Sequence, residues 1–140
     1  MQKMNAPVTA KPVNRQTMVN IRFDEETGIL KMDYSGLVES ADIHRFIDHI
    51  RLDDRLPENL LVLHHAEGVG SSLKMKDLLF FSKEMKKGTA RFNSVRAAVF
   101  TKNSLSLTLT KLYERLNMDK NTKFKTFNSE RAAVAWLVEI

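Results

Sequence analysis

The sequence predicts a single α/β domain: a mixed, mostly parallel sheet with an N-terminal β-hairpin and crossover helices, in the order ββαβαβαβα. Three observations support this fold class. Apolar residues alternate with polar ones on both sides of a glycine turn near residue 28. Two short apolar runs, NLLVLHH and SVRAAVFTK, are typical of strands covered on both faces. Apolar residues recur at helical spacing around these runs, and the length of 140 residues suits one domain.

The hairpin is predicted from MVNIRF and ILKMDYSG, which are joined by DEETG. Val19, Ile21 and Phe23 alternate with polar residues, and the second strand repeats the spacing of two. Gly28 can supply the left-handed residue of the turn.

The first helix is predicted to begin with Ser40 as its cap. Its apolar stripe falls at i, i+3, i+4 and i+7. The stripe consists of Ile43, Phe46, Ile47 and Ile50. A second helix is predicted over residues 73–87, between the two buried strands. The sequence KFKTF then predicts a short strand, and SERAAVAWLVEI a closing helix.

The segment SLSLTLTKLYERLN, residues 104–117, fits two structures. Its first half alternates as a strand does, whereas its leucines and Tyr113 also fit one face of a helix. We predict a helix, because a crossover is needed before the next parallel strand.

Composition excludes several classes of function. The chain has no cysteine, which excludes thiol catalysis, disulfides and thiolate metal sites. The start of the chain lacks the apolar stretch of a secretory signal, and no apolar run approaches the roughly 20 residues that span a bilayer. A cytoplasmic location is therefore expected. Residues 1–17 are predicted to be a flexible basic tail, and residues 18–140 the domain.

The net charge of +5 is unevenly distributed along the chain. Residues 18–67 hold five basic and eleven acidic residues, whereas residues 68–102 hold eight basic and two acidic ones. The basic segment runs from Lys74 to Arg96 and could meet an acidic partner or an anionic surface. A solvated helix face is the alternative interpretation.

Two segments point to a known family. The C-terminal part of the chain resembles the end of SpoIIAA-like domains of the STAS group. It consists of RAAVFT, a following helix, and then FKTFNSERAAVAWL. The pattern is a short strand ending in Phe127 and a helix carrying Ala133, Trp136 and Leu137. The opening hairpin with Gly36 before the first helix is similar too, so the resemblance covers roughly residues 18–140. It implies a small regulatory or binding domain without catalytic activity.

The resemblance also implies a candidate switch. In the phosphorylated antagonists of this group, a serine at the start of the helix after the third strand is the phosphorylation site, and Ser71 and Ser72 occupy that region here. The motif of those proteins has Asp-Ser directly at the strand end. This chain departs from it, since its serines lie further along, at the end of Glu67-Gly68-Val69-Gly70-Ser71-Ser72.

Three interpretations of the two serines remain open. Ser71 or Ser72 could be a helix N-cap, with Gly68 and Gly70 allowing a sharp turn. One of them could be phosphorylated, since a phosphate at a helix N-terminus suits the helix dipole. Free N–H groups at the helix start could instead bind an anion. GVGSSLK is not a P-loop, because the Gly-Lys-Ser/Thr ending is absent.

The helix over residues 73–87 carries more apolar residues than one buried stripe needs. Phe80 and Phe81 could make a second core contact, a homodimer contact or an apolar ligand pocket. Lys83 and the neighbouring lysines would suit the head group of an anionic lipid or fatty acid, which leaves a peripheral membrane contact open. Nucleic acid is not expected as a partner, because the aromatic residues are not interleaved with basic ones on an exposed sheet.

His65 is the remaining candidate contact. It lies near the carboxyl end of a buried strand, where ligands bind in open α/β sheets. The four histidines show no metal-ligand spacing, and no nucleophile with a recognisable partner set appears. No cofactor or metal is therefore expected, and no enzyme activity. The sequence predicts a non-catalytic regulatory protein-interaction domain of the STAS type, with a small apolar or anionic ligand-binding domain as the alternative.

Overall fold

The computed structural model describes residues 18–35, 37–65, 70–71, 74–102, 111, 114–115 and 121–139. The strands are β1 (Met18–Asp24), β2 (Ile29–Ser35), β3 (Leu37–Val38), β4 (Asn59–His65), β5 (Gly70–Ser71), β6 (Ser94–Phe100) and β7 (Thr122–Phe127). The helices are α1 (Ser40–Leu52), α2 (Met75–Gly88) and α3 (Glu130–Leu137). The predicted basic tail, residues 1–17, lies outside the described residues.

The main sheet has five strands in the order β1-β2-β4-β6-β7. β1 and β2 are antiparallel, and the remaining neighbours are parallel. β3 and β5 form a separate parallel pair. The predicted mixed, mostly parallel sheet with an N-terminal hairpin is confirmed.

The hairpin turn depends on Gly28. Its φ of 74° lies in the left-handed region that favours glycine, and its N–H donates to the Asp24 carbonyl over 2.8 Å. Asp24 pairs with Ile29 across the turn, and Ile21 pairs with Met32. This register places Ile21 and Met32 on the face covered by one core, whereas Ile29 faces the other core.

Two cores cover the two faces of the sheet. On one face, α1 and α2 pack over even-numbered β4 residues such as Leu60 and Val62. On the other, α3 packs over Leu63 of β4 and Ala98 of β6. Successive side chains of a strand point to opposite faces, so β4 contributes residues to both cores.

The two helices of the first core approach closely where one residue has no side chain. A Cβ at Gly88 would lie 3.0 Å from Ile47 Cγ2. Glycine at the end of α2 therefore lets α1 and α2 pack without displacing Ile47.

Two helix starts differ from the sequence prediction. The N-cap of α1 is Glu39 instead of Ser40, and the N-cap of α2 is Lys74, so neither Ser71 nor Ser72 caps α2. An aspartate at the third helical position explains both starts. Asp42 accepts the Glu39 N–H and Asp77 accepts the Lys74 N–H, each over 2.9 Å.

Most of the segment over residues 104–117 lies outside the described residues. Lys111, Glu114 and Arg115 are described there, and they are helical. The Glu114 carboxylate accepts the Thr126 backbone N–H over 3.2 Å, which joins this segment to β7.

Candidate functional site

The outward face of α2 exposes two large apolar side chains. Leu79 is 52% exposed and Phe80 is 46% exposed. Lysines occupy the surrounding exposed positions of the same helix. We call this face the α2 surface; it consists of Lys76, Leu79, Phe80, Lys83, Lys86 and Lys87.

Helical periodicity explains why these residues share one face. Leu78, Phe81 and Met85 recur at the spacing of a buried stripe and pack inward. At 100° per residue, Lys76, Lys83 and Lys87 then follow one line along the opposite side. Leu79 and Phe80 lie on either side of that line, so apolar and cationic groups alternate across the exposed face.

Phe80 also joins an aromatic cluster between α1 and α2. The His44 ring of α1 lies 5.4 Å from the Phe80 ring and 5.8 Å from the Phe81 ring. The two phenylalanine rings are 6.0 Å apart in an edge-on arrangement. These contacts hold Phe80 in place although nearly half of it is exposed.

Phe81 does not belong to the surface. It is only 2% exposed and packs inward, which agrees with the interpretation of a second core contact, whereas its role as a ligand or partner contact stays a prediction. Phe81 follows Leu78 by three residues and precedes Met85 by four, so all three side chains lie on the buried face of the helix. Lys83, two residues further, is exposed as expected of a surface contact.

The two acidic residues of α2 are engaged within the helix. Asp77 accepts the Lys74 backbone N–H, and the Glu84 carboxylate lies 3.4 Å from the Lys87 ammonium. An exposed pair of this kind is worth little, so it does not prevent Lys87 from meeting an external anion.

A second group of side chains, two polar and one aromatic, lies at the carboxyl end of the main sheet. Asp33, His65 and Phe100 are register partners on β2, β4 and β6. His65 Nδ1 lies 3.2 Å from Asp33 Oδ1, and the His65 ring stacks on Phe100 with a centroid separation of 5.0 Å. His65 is therefore held by a carboxylate on one side and an aromatic ring on the other.

His64 points to the opposite face, as expected for adjacent residues of a strand. Its Nδ1 lies 2.9 Å from the Tyr34 hydroxyl, and its ring packs edge-on against Phe46 at 4.9 Å. Burial lowers the pKa of His64 to about 4. His64 is consequently a neutral core residue at neutral pH.

The predicted switch or anion site is described only in part. Glu67, Gly68 and Ser72 lie outside the described residues. The backbone of Gly70 and Ser71 forms β5 and pairs with Leu37 and Val38. Phosphorylation or anion binding at this turn therefore stays a prediction.

Two features of these sites escaped the sequence reasoning. Asp33 was not identified as the partner of His65, although it follows Ile29 at even spacing towards the end of β2. His44 was not connected to Phe80, because no local spacing relates residues on different helices. Among the described residues, no group of three or more His, Cys, Asp or Glu side chains could hold a metal ion.

Comparison with solved structures identifies the fold. A protein from Shewanella loihica PV-4, described as an uncharacterized member of the DUF3478 family with a SpoIIAA-like fold, matches with a TM-score of 0.57. The two share 18% sequence identity, and the match covers 92% of this chain and 98% of that chain. This chain therefore has a SpoIIAA-like fold, as the sequence resemblance implies. No family model matches the chain, and no curated protein matches it.

Proposed function

We propose that this chain is a non-catalytic interaction domain that binds its partner through the α2 surface. The observation that carries the proposal is the exposure of Leu79 and Phe80 within a row of lysines. Exposed apolar side chains rimmed by polar groups are a feature of interaction sites, and this property supports the proposal. The regulatory role implied by the SpoIIAA-like resemblance is compatible with such a surface.

The alternative, a pocket for a small apolar or anionic ligand beneath α2, has less support. The side chains that would line it from above are Leu78, Phe81 and Met85, and they pack into the protein. The apolar groups of α2 that remain accessible point outward instead. An exposed helix face suits a large partner better than an enclosed small molecule.

A photocrosslinker at position 80 tests the proposal. Phe80 is replaced by p-benzoylphenylalanine, which keeps an aromatic ring at that position, and the protein is irradiated in its own host cells. We expect a discrete covalent adduct, of protein or lipid, whose yield falls when Lys83→Gln is added. The matched control carries the same crosslinker at Leu52, which is 74% exposed on α1 but lies outside the α2 surface.

Equal adducts at positions 80 and 52, or none at position 80, would contradict the proposal. Circular dichroism of each purified variant excludes unfolding as the cause of a lost adduct.

A further inference from the structure

We infer that the partner of the α2 surface is an anionic lipid bilayer, which α2 contacts by lying parallel to the membrane plane. The inference rests on the proposed function and names its partner class. In the described part of the chain, no helix is long and apolar enough to cross a membrane. The proposed contact is a peripheral one, made by one exposed helix face.

The kind of cation on this face favours a bilayer over a protein. Every basic residue of the α2 surface is lysine, and none is arginine. Protein interfaces are enriched in aromatic residues, methionine and arginine and depleted of lysine, so the four lysines of this face, rather than Phe80, separate a bilayer from a protein partner. Lysine is a compact, hydrated charge without a fixed fork of donors, which suits the diffuse field of many anionic head groups.

The arrangement along the helix has the geometry of an interfacial contact. Lys76, Lys83 and Lys87 follow one line, which at 1.5 Å per residue extends for about 16 Å along the helix axis. Leu79 and Phe80 flank the line. With α2 parallel to the membrane, the lysines reach head groups while the two apolar side chains enter the boundary with the acyl chains.

Both kinds of residue are needed for stable contact. A cation near an anionic leaflet strengthens binding about fivefold, so several lysines act together. Electrostatic attraction alone would be screened beyond about 8 Å at physiological salt. Leu79 and Phe80 add a contribution that does not depend on salt, since it comes from burying apolar surface.

Co-sedimentation with lipid vesicles tests the inference. The full chain is mixed with vesicles of phosphatidylcholine and phosphatidylglycerol in equal amounts, and separately with pure phosphatidylcholine. We expect binding to the anionic vesicles alone, weakening as salt rises. Lys83→Gln is expected to reduce affinity about fivefold, and Phe80→Ser about tenfold.

Two control variants separate this surface from general basicity. Lys123→Gln removes an exposed lysine of β7, and Leu52→Ser removes an exposed apolar side chain of α1. Both should bind as the unaltered protein does. Absence of binding to anionic vesicles, or equal losses in the control variants, would overturn the inference.

The failure of this inference is distinguishable from that of the proposed function. A discrete protein adduct from the crosslinker at position 80, with no vesicle binding, would assign the α2 surface to a protein partner. The interaction role would then stand and the lipid assignment would be wrong. Vesicle binding that depends on both Phe80 and Lys83 would support the lipid assignment.

Discussion

Two adjacent phenylalanines of α2 lie in opposite environments. Phe81 is 2% exposed, whereas Phe80 is 46% exposed. The free energy of unfolding should therefore respond differently to their truncation. We expect Phe81→Ala to lower it by about 3–5 kcal/mol, because a buried ring is replaced by a cavity. For Phe80→Ala we expect about 1 kcal/mol or less, since the ring is already partly in water.

Urea denaturation monitored by circular dichroism measures both values. Equal destabilisation by the two substitutions would show that the burial described for this helix is wrong. The difference also decides how binding should be tested: Phe80 can be changed with the fold intact, whereas a loss of binding in Phe81→Ala would report unfolding.

His64 predicts a pH dependence of stability. Burial lowers its folded-state pKa to about 4, whereas the ordinary value is 6.5. Between these values the unfolded state binds more protons than the folded state, so protonation favours unfolding. The stability associated with neutral His64 is thus fully present above pH 6.5 and is lost as the pH falls towards 4. The expected loss is about 3 kcal/mol.

Urea unfolding at a series of pH values between 6.5 and 4 measures this loss. His64→Gln is the control, because glutamine does not titrate and can still hydrogen-bond to Tyr34. The unaltered protein should lose about 3 kcal/mol more than the variant over this range, while the carboxylates contribute equally to both. Parallel pH profiles would show that His64 is not a buried neutral base.

Two arginines, one in the turn after α2 and one on β6, bind the carbonyl groups at the carboxyl ends of two helices. Arg91 Nη2 donates to the carbonyls of Ile50 and Asp53, at the end of α1. Arg96 Nη2 donates to the Trp136 carbonyl over 2.6 Å, and its guanidinium lies 4.4 Å from the centre of the Trp136 ring. Both cations lie where the helix dipole is negative and the last carbonyls lack helical partners.

Arg96→Met should destabilise the protein by about 1–2 kcal/mol, because charge-assisted hydrogen bonds to the end of α3 are lost while the apolar stem is kept. Amide hydrogen exchange should rise first in α3. Arg51→Met is the control: it removes an exposed ion pair with Asp48 and should cost under about 0.5 kcal/mol. Similar losses in both variants would contradict a specific role for Arg96 at the end of α3.

Helix bodies could be predicted from the sequence, whereas two of their starts could not. Ile43, Phe46, Ile47 and Ile50 predict the buried face of α1, since periodicity is a local property. Ser40 was expected to cap α1, and capping of α2 was one of three interpretations of Ser71 and Ser72. An aspartate at the third position of each helix fixes a different N-cap. Serine and aspartate side chains can both accept N–H groups at a helix start. Which of the two does so depends on the path of the chain before the helix.

The candidate site was predictable to the extent that it lies on one element. Lys83 and Phe80 were identified from the composition of α2, and both are exposed. The contact between His44 and Phe80 and the pair formed by Asp33 and His65 depend on how separate elements meet. Strand register and helix packing are non-local, so no spacing along the chain indicates them.

The whole molecule is organised around β4, which contributes to both cores. Val62 packs beneath α1 and α2, and its neighbour Leu63 packs beneath α3. Unfolding of either layer would therefore expose apolar residues of the same central strand. Coupling of this kind predicts one cooperative transition for the described domain.

The single tryptophan makes this prediction measurable. Trp136 lies on α3 and contacts Phe127, so its fluorescence reports the α3 layer, whereas far-UV circular dichroism reports all helices. We expect the two urea transitions to coincide. Leu63→Ala, which alters only the α3 core directly, should shift both midpoints together and lower stability by about 2–5 kcal/mol. A fluorescence transition at lower urea than the circular dichroism transition would instead show that α3 unfolds separately. The interaction free energy between the two layers through β4 would then be too small to make their unfolding cooperative.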